Sequence, residues 1–233
     1  MKQLLITGAN RGIGLEFTQQ YLANGWHVYA TYRANSAAAN QHSSSALAAL
    51  ACDQLTLLPL DVTEDASIST LQEQLSGIEL DLIINNAGIF GPREQSLGTV
   101  SRQQWLEVLN VNSVAPLMLA QALHSNLTAK RGTFAVMSSR MGSIDDNDGG
   151  ALYLYRSSKT AVNMVVKSLS IDLQDHGIKV IALHPGWVRT DMGGPNGSID
   201  TQTSVNGLRQ VLDHIDPADN GRFINYDGTS IAW

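Results

Sequence analysis

With 233 residues, 43% of them hydrophobic and 15% charged, the chain is long enough to bury the core of one α/β domain and too apolar for a disordered segment. A formal net charge of −6, with no basic run, argues against a nucleic-acid partner. Cys52 is the only cysteine and the six histidines are scattered, so neither an intrachain disulfide nor a metal centre is expected, and a reducing cytoplasm suits the chain.

In chain order, Gln3-Leu4-Leu5-Ile6 reads as a buried strand. A glycine-rich turn follows, Thr7-Gly8-Ala9-Asn10-Arg11-Gly12-Ile13-Gly14, and then Leu15 to Leu22 with apolar positions at helical spacing. Trp26 to Tyr32 forms a second strand, and Ala34 to Ser45, rich in Ala, Ser and Asn, reads as a loop entering a short helix. Strands are expected at about 55–60, 80–84, 133–138 and 178–183, and helices at about 65–76, 101–127 and 151–175. A last strand lies in Gly221 to Tyr226. This alternation predicts a parallel sheet with helices on both faces, in one domain spanning 1–233. The chain enters its first strand directly, leaving no room for a cleavable signal, and no apolar stretch is expected to approach the roughly 18 residues of a membrane span.

Two patterns carry chemistry. Strand, glycine turn and helix start together make a phosphate site, because free backbone N–H groups and the positive end of the helix dipole meet an anion there. Tyr155-Arg156-Ser157-Ser158-Lys159 sets a phenol and an ammonium one helical turn apart, on one face. A positive charge beside a phenol favours the phenolate, so Lys159 is expected to lower the pKa of Tyr155 toward the range of proton transfer. Tyr153 lies on the same segment, but residue 157 is Ser, so only Tyr155 has the Lys partner.

The glycine turn is T-G-x-x-x-G-x-G, and with the Tyr155/Lys159 pair it resembles the short-chain dehydrogenase/reductase family. Further matches follow in order: Leu60-Asp61-Val62 after a strand, Asn85-Asn86-Ala87-Gly88, Asn112 in a helix, Ser139 after a strand, and Pro185-Gly186-Trp187-Val188-Arg189-Thr190. The resemblance spans essentially the whole chain. It implies a doubly wound Rossmann-type fold, with a seven-stranded parallel sheet in the order 3-2-1-4-5-6-7. It also implies reduction of an aldehyde, ketone or quinone by a nicotinamide cofactor. Tyr155 would donate the proton, and Lys159 would assist it and bind the nicotinamide ribose. Ser139 would hydrogen-bond the substrate oxygen, and Asn112 would bend its helix and hold a water that links Lys159 to solvent. The cofactor contacts implied are Gly8, Asn10, Arg11, Gly12, Ile13, Gly14, Asp61, Val62, Asn86, Ala87, Gly88, Tyr155, Lys159, Pro185, Gly186, Val188 and Thr190. Ser138 rivals Ser139, but the family pattern S-x-x-G fits Ser139 to Gly142. The spacing from Ser139 to Tyr155 exceeds the family's usual one; the acidic, Gly-rich stretch 145–150 reads as a surface loop or as a border of the substrate entrance.

Charge speaks to the cofactor. The end of the second strand reads Thr31-Tyr32-Arg33, without the acid that binds a ribose 2′-hydroxyl. Arg33, with Arg11 as a second cation, can grip a 2′-phosphate, which favours NADP(H) over NAD(H). Within the family the chain most resembles the sniffer-like and C-factor-like carbonyl reductases. Residues 191–205 are the expected substrate lid, and their Gly, Asn, Ser and Thr content argues against a large steroid pocket. A signalling protein of C-factor type with little turnover, and an NAD-dependent alcohol dehydrogenase, are the competing readings. Apolar residues on more than one face of the two long helices, with the family resemblance, imply a homodimer or homotetramer.

Overall fold

The computed structural model describes residues 1–33 and 46–233; the expected loop and short helix of 34–45 lie outside them. Seven strands, β1 (Gln3–Ile6), β2 (His27–Tyr32), β3 (Leu55–Pro59), β4 (Leu82–Asn85), β5 (Thr133–Met137), β6 (Lys179–His184) and β7 (Phe223–Asn225), form one sheet. Its order is β3-β2-β1-β4-β5-β6-β7, and every pairing is parallel. Both the strand order and the class agree with the sequence expectation. The helices are α1 (Gly12–Ala23), α2 (Asp65–Gln74), α3 (Arg102–Leu109), α4 (Ala115–Thr128), α5 (Tyr153–Asp172) and α6 (Thr201–Asp213).

Successive strand residues face opposite ways, and both faces are covered, so β4 and β5 are buried throughout. Leu5, Ile83, Phe134 and Val180 point to the side packed by Leu71 of α2, Leu123 of α4 and Val162 of α5. Leu4, Ile6, Ile84 and Ile181 point to the other side, under Phe17 and Tyr21 of α1 and Val205 and Leu208 of α6. The sheet is therefore a partition between two cores, and its carboxyl edge is left to the connecting loops.

Three differences from the expected elements have physical causes. The helix expected at 101–127 is interrupted by a π-helical turn, Asn110–Val114. Pro116 has no N–H to give to the carbonyl four residues earlier, so the regular ladder cannot run through this point. Helix α6 is absent from the sequence expectation, although Val205, Leu208, Val211 and Leu212 recur at helical spacing. Asp200 caps it by accepting from the Thr203 amide at 2.8 Å, so residues 201–205 of the expected lid are its first turn. Finally, the run Arg102–Thr128 is long and apolar enough, by length and composition, to cross a membrane, contrary to the expectation that no stretch is. Its Leu119, Leu123 and Leu127 are buried against the sheet, which accounts for that apolar character.

Candidate active site

The strand order reverses between β1 and β4, and loops from β1, β2, β3, β4, β5 and β6 open there into a cleft of about 430 Å³. The glycine turn forms its floor. Gly8 and Gly12 have φ of +67° and +53°, where a side chain is strained. A Cβ at Gly14 would stand 2.2 Å from the Gly8 carbonyl oxygen, so only glycine lets helix α1 start so close to β1. The N-cap of α1, Arg11, makes no side-chain capping bond, which leaves its first turn facing the cleft without a side-chain acceptor. The Asn-Asn-Ala-Gly segment stitches the turn in place. Thr7 Oγ1 accepts from the amides of Asn86 and Ala87 at 3.0 and 2.9 Å, and Asn86 Nδ2 donates to the carbonyls of Thr7 and Gly8 at 3.0 and 3.2 Å.

Of the residues expected to hold a cofactor, the glycine turn from Gly8, Asn10 and Arg11 to Gly14 lines the cleft, with Arg33, Asp61, Val62 and Asn86 to Gly88 along one wall. Tyr155, Lys159, Pro185 and Thr190 line it at the other end. Gly186 and Val188 do not. Val188 is buried and bridges Ile199, and Gly186 sits where a Cβ would meet Ile199 and Tyr226, so both shape the turn that carries Thr190. Arg33 ends β2 beside Asp61. Burial alone would raise the Asp61 carboxyl, but the Thr63 hydroxyl and amide, with the Arg33 charge, hold it below the ordinary carboxylate value.

Arg11, expected as a second cation, lines the cleft and is paired in this structure. Its Nη1 pairs with Asp191 Oδ2 at 2.7 Å, and Arg93 donates to the carbonyls of Asp191 and Met192 at 2.9 and 3.1 Å. Both partners of the Arg11–Asp191 pair are largely exposed, so the pair contributes little to stability. Neither Asp191 nor Arg93 carried a local signal, because the pairing joins residues about a hundred or more positions apart.

At the end of the cleft lined by Tyr155, Lys159 Nζ donates to the Met137 carbonyl at 2.8 Å and lies 5.7 Å from the centroid of the Tyr155 ring. Burial pushes the Tyr155 phenol up to about 12, with the Ser139 side chain acting in the opposite direction. Burial likewise pushes the Lys159 ammonium down to about 8. The sequence expectation of a phenol lowered by Lys159 is therefore corrected: burial is the largest cause of both shifts, raising the phenol and lowering the ammonium. Ser138 and Ser139 separate by partner. Ser138 Oγ donates to Asn163 Oδ1 at 2.6 Å and Ser138 lines the cleft; the buried Ser139, outside that lining, accepts from the Met141 amide at 3.2 Å and adjoins the phenol.

Asn112 lies in the π-helical turn and outside the lining of the cleft. Its Oδ1 accepts from the Ile89 amide at 2.9 Å, and its Nδ2 donates to the Ile89 carbonyl and Ser158 Oγ at 2.8 and 3.0 Å. It thereby ties the loop after β4 to α5. A Cβ at Gly88 would stand 3.2 Å from Asn112 Oδ1 and 3.7 Å from Lys159 Nζ, so a side chain here would press on both. Asn112→Ala would strand Ile89 and Ser158, and is expected to destabilise the fold by about 2–3 kcal/mol. Urea unfolding checks this, and an unchanged midpoint would contradict the tie.

A parallel sheet in this order, a glycine turn at its switch point and a Tyr/Lys pair on the helix after β5 define a dinucleotide-binding oxidoreductase class. The residues present fit such a nucleotide: a phosphate-sized approach at Gly8 to Gly14, an uncapped helix start, and a cation at the end of β2. The chain belongs to the short-chain dehydrogenase/reductase family; the description "short chain dehydrogenase" matches residues 2–201. The C-signal of Myxococcus xanthus is 40% identical over 157 residues, covering 66% of this chain and 93% of that protein. Among solved structures, the carbonyl reductase Sniffer of D. melanogaster is 35% identical with a TM-score of 0.92, over 100% of both chains. An NADPH-bound carbonyl reductase from chicken fatty liver is 36% identical with a TM-score of 0.88, over 100% of this chain and 99% of that one.

Proposed function

We propose that this protein is an NADP(H)-dependent carbonyl reductase acting on an aldehyde, ketone or quinone. The observation that carries the reading is the buried Tyr155 phenol, next to Ser139 and Lys159, at the end of a cleft that fits a dinucleotide. The bound nicotinamide supplies the hydride. Tyr155, held protonated by its burial, gives its proton to the carbonyl oxygen, and Ser139 orients that oxygen by hydrogen bonding. Lys159 is fixed at the end of β5, from where its ammonium reaches a ribose and favours the departing phenol proton. A water held by Asn112 would link Lys159 to solvent, and through it the proton is replaced. Arg33 grips the 2′-phosphate. Residues 191–200, tethered by Arg11 and Arg93, cover the substrate.

The test is a panel of aldehydes, ketones and quinones offered with NADPH and with NADH, followed by nicotinamide absorbance. Turnover with NADPH supports the reading; inert protein across the panel rejects it. The likeness to C-signal favours one second reading, a nucleotide-binding signal in which turnover is secondary. A Tyr155→Phe variant that keeps a signalling readout but loses reduction would separate the two.

We further propose a cytoplasmic homodimer or homotetramer. Leu106, Met164 and Ile171, on α3 and α5, are each at least 60% exposed and lie on the faces turned away from the sheet. Pairing these helices across a two-fold axis would bury that apolar surface. Light scattering at micromolar concentration is expected to give at least twice the 25.1 kDa of one chain. A single-chain mass would refute the assembly.

A further inference from the structure

Gln95 lies in the loop between β4 and α3, 60 positions before Tyr155. It is only 1% exposed, although its neighbours in the chain, Glu94 and Ser96, are exposed. A buried amide must find partners, and this one finds three. Its Oε1 accepts from the Tyr155 amide at 2.9 Å, and its Nε2 donates to the carbonyls of Phe90 and Pro92 at 2.9 and 2.7 Å. Its own carbonyl accepts from the Tyr153 amide at 3.4 Å.

Those bonds fall where α5 has a deficit. Its N-cap, Leu152, offers no side-chain bond, so the first-turn amides need acceptors from elsewhere. The entry is also strained: Gly150, Ala151 and Leu152 have φ of +59°, +48° and +49°, and two of these three carry side chains. Strain of this kind persists only where the surroundings over-determine it. Phe90, held by the same amide, packs its ring 4.8 Å from that of Tyr155. Phe90 and Pro92 also line a second cavity, of about 440 Å³, which shares Gly88, Ile89 and Met192 with the first.

We propose that Gln95 is a positioning residue: it caps the catalytic helix from outside and clamps the Tyr155 phenol to the loop that walls the substrate side. The proposal rests on Tyr155 being the proton donor. Gln95 touches no reacting atom; it fixes where the phenol stands. A displacement of about 1 Å in a reacting group can lower a rate by about 10²-fold.

The experiment uses the full chain, NADPH and the best substrate of the panel, with four variants. Gln95→Met, close in volume but without donors or acceptor, is expected to lower kcat by about 10–100-fold. NADPH Kd should stay within twofold, because no cofactor-lining residue is altered. Gln95→Glu keeps an acceptor for the Tyr155 amide but faces two carbonyls with oxygen. Its kcat relative to the unaltered protein should rise as pH falls, since protonation restores one donor. In the Leu152→Gly background, where the strain at Leu152 is relieved and that at Ala151 remains, Gln95→Met should lower kcat by a smaller factor. A folded Gln95→Met variant with kcat within twofold of the unaltered protein overturns the proposal, as does a Kd loss matching the kcat loss. If Gln95→Met does not fold, a pH-independent ratio for Gln95→Glu overturns it instead. Tyr155→Phe is the control: if it stays active, the donor assignment has failed, and if it is silent while Gln95→Met is fully active, only the clamp has failed.

Discussion

Tyr155→Phe is expected to lower kcat for carbonyl reduction by about 10²–10⁴-fold, the usual contribution of a positioned general acid. The substitution removes one oxygen and leaves the ring that packs on Phe90, so the stacking at 4.8 Å and the helix entry should survive. NADPH affinity should change little, because the glycine turn and Arg33 are untouched. The pH dependence has a definite sign. With the phenol pushed up to about 12, Tyr155 is protonated throughout the neutral range, and its loss of a proton should not limit reduction there. Alcohol oxidation needs the phenolate and should rise with pH through the alkaline range. Lys159, pushed down to about 8, gives its charge up as pH rises past that value and supports the phenolate best below it. Steady-state kinetics in both directions over pH check this; near-normal reduction by the Phe variant would remove Tyr155 from the mechanism.

Arg33→Ala is expected to weaken NADPH binding by about 10–100-fold while leaving NADH binding nearly unchanged. A charge-assisted contact contributes roughly 1.5–3 kcal/mol, and only NADPH carries the 2′-phosphate that would receive it. The effect is sharpened by Asp61. Arg33 helps hold that carboxyl ionised, and without Arg33 the carboxylate would face the phosphate alone. Arg11 is not placed to compensate, because it is paired with Asp191 at 2.7 Å. Fluorescence titration with both nucleotides measures the two affinities. Equal losses would show that Arg33 does not read the phosphate, and an unaltered protein that prefers NADH would reject the cofactor assignment itself.

Much of this protein is legible in the sequence because its determinants are local. Runs such as Leu4-Leu5-Ile6 and Leu82-Ile83-Ile84 must be buried on both faces, which only a sheet covered twice can do, and the alternation with helices makes that sheet parallel. Gly8 and Gly12 declare the phosphate turn by positive φ, where a side chain is strained, and Gly14 by the 2.2 Å at which a Cβ would meet the Gly8 carbonyl oxygen. The Tyr155 and Lys159 pair is four residues apart, so helical geometry alone puts them on one face.

What the tertiary structure decided depends on contacts that no local pattern records. The π-helical turn at Asn112 needed both Pro116 and the distant Ile89 loop. The bond of Ser138 to Asn163 joins the end of β5 to α5. The pairing of Arg11 with Asp191 spans 180 positions, and the bond from the Tyr155 amide to Gln95 spans 60. Even the protonation of the central pair was a matter of burial rather than spacing. Spacing puts Lys159 beside Tyr155, but it is their depth in the fold that raises the phenol and lowers the ammonium.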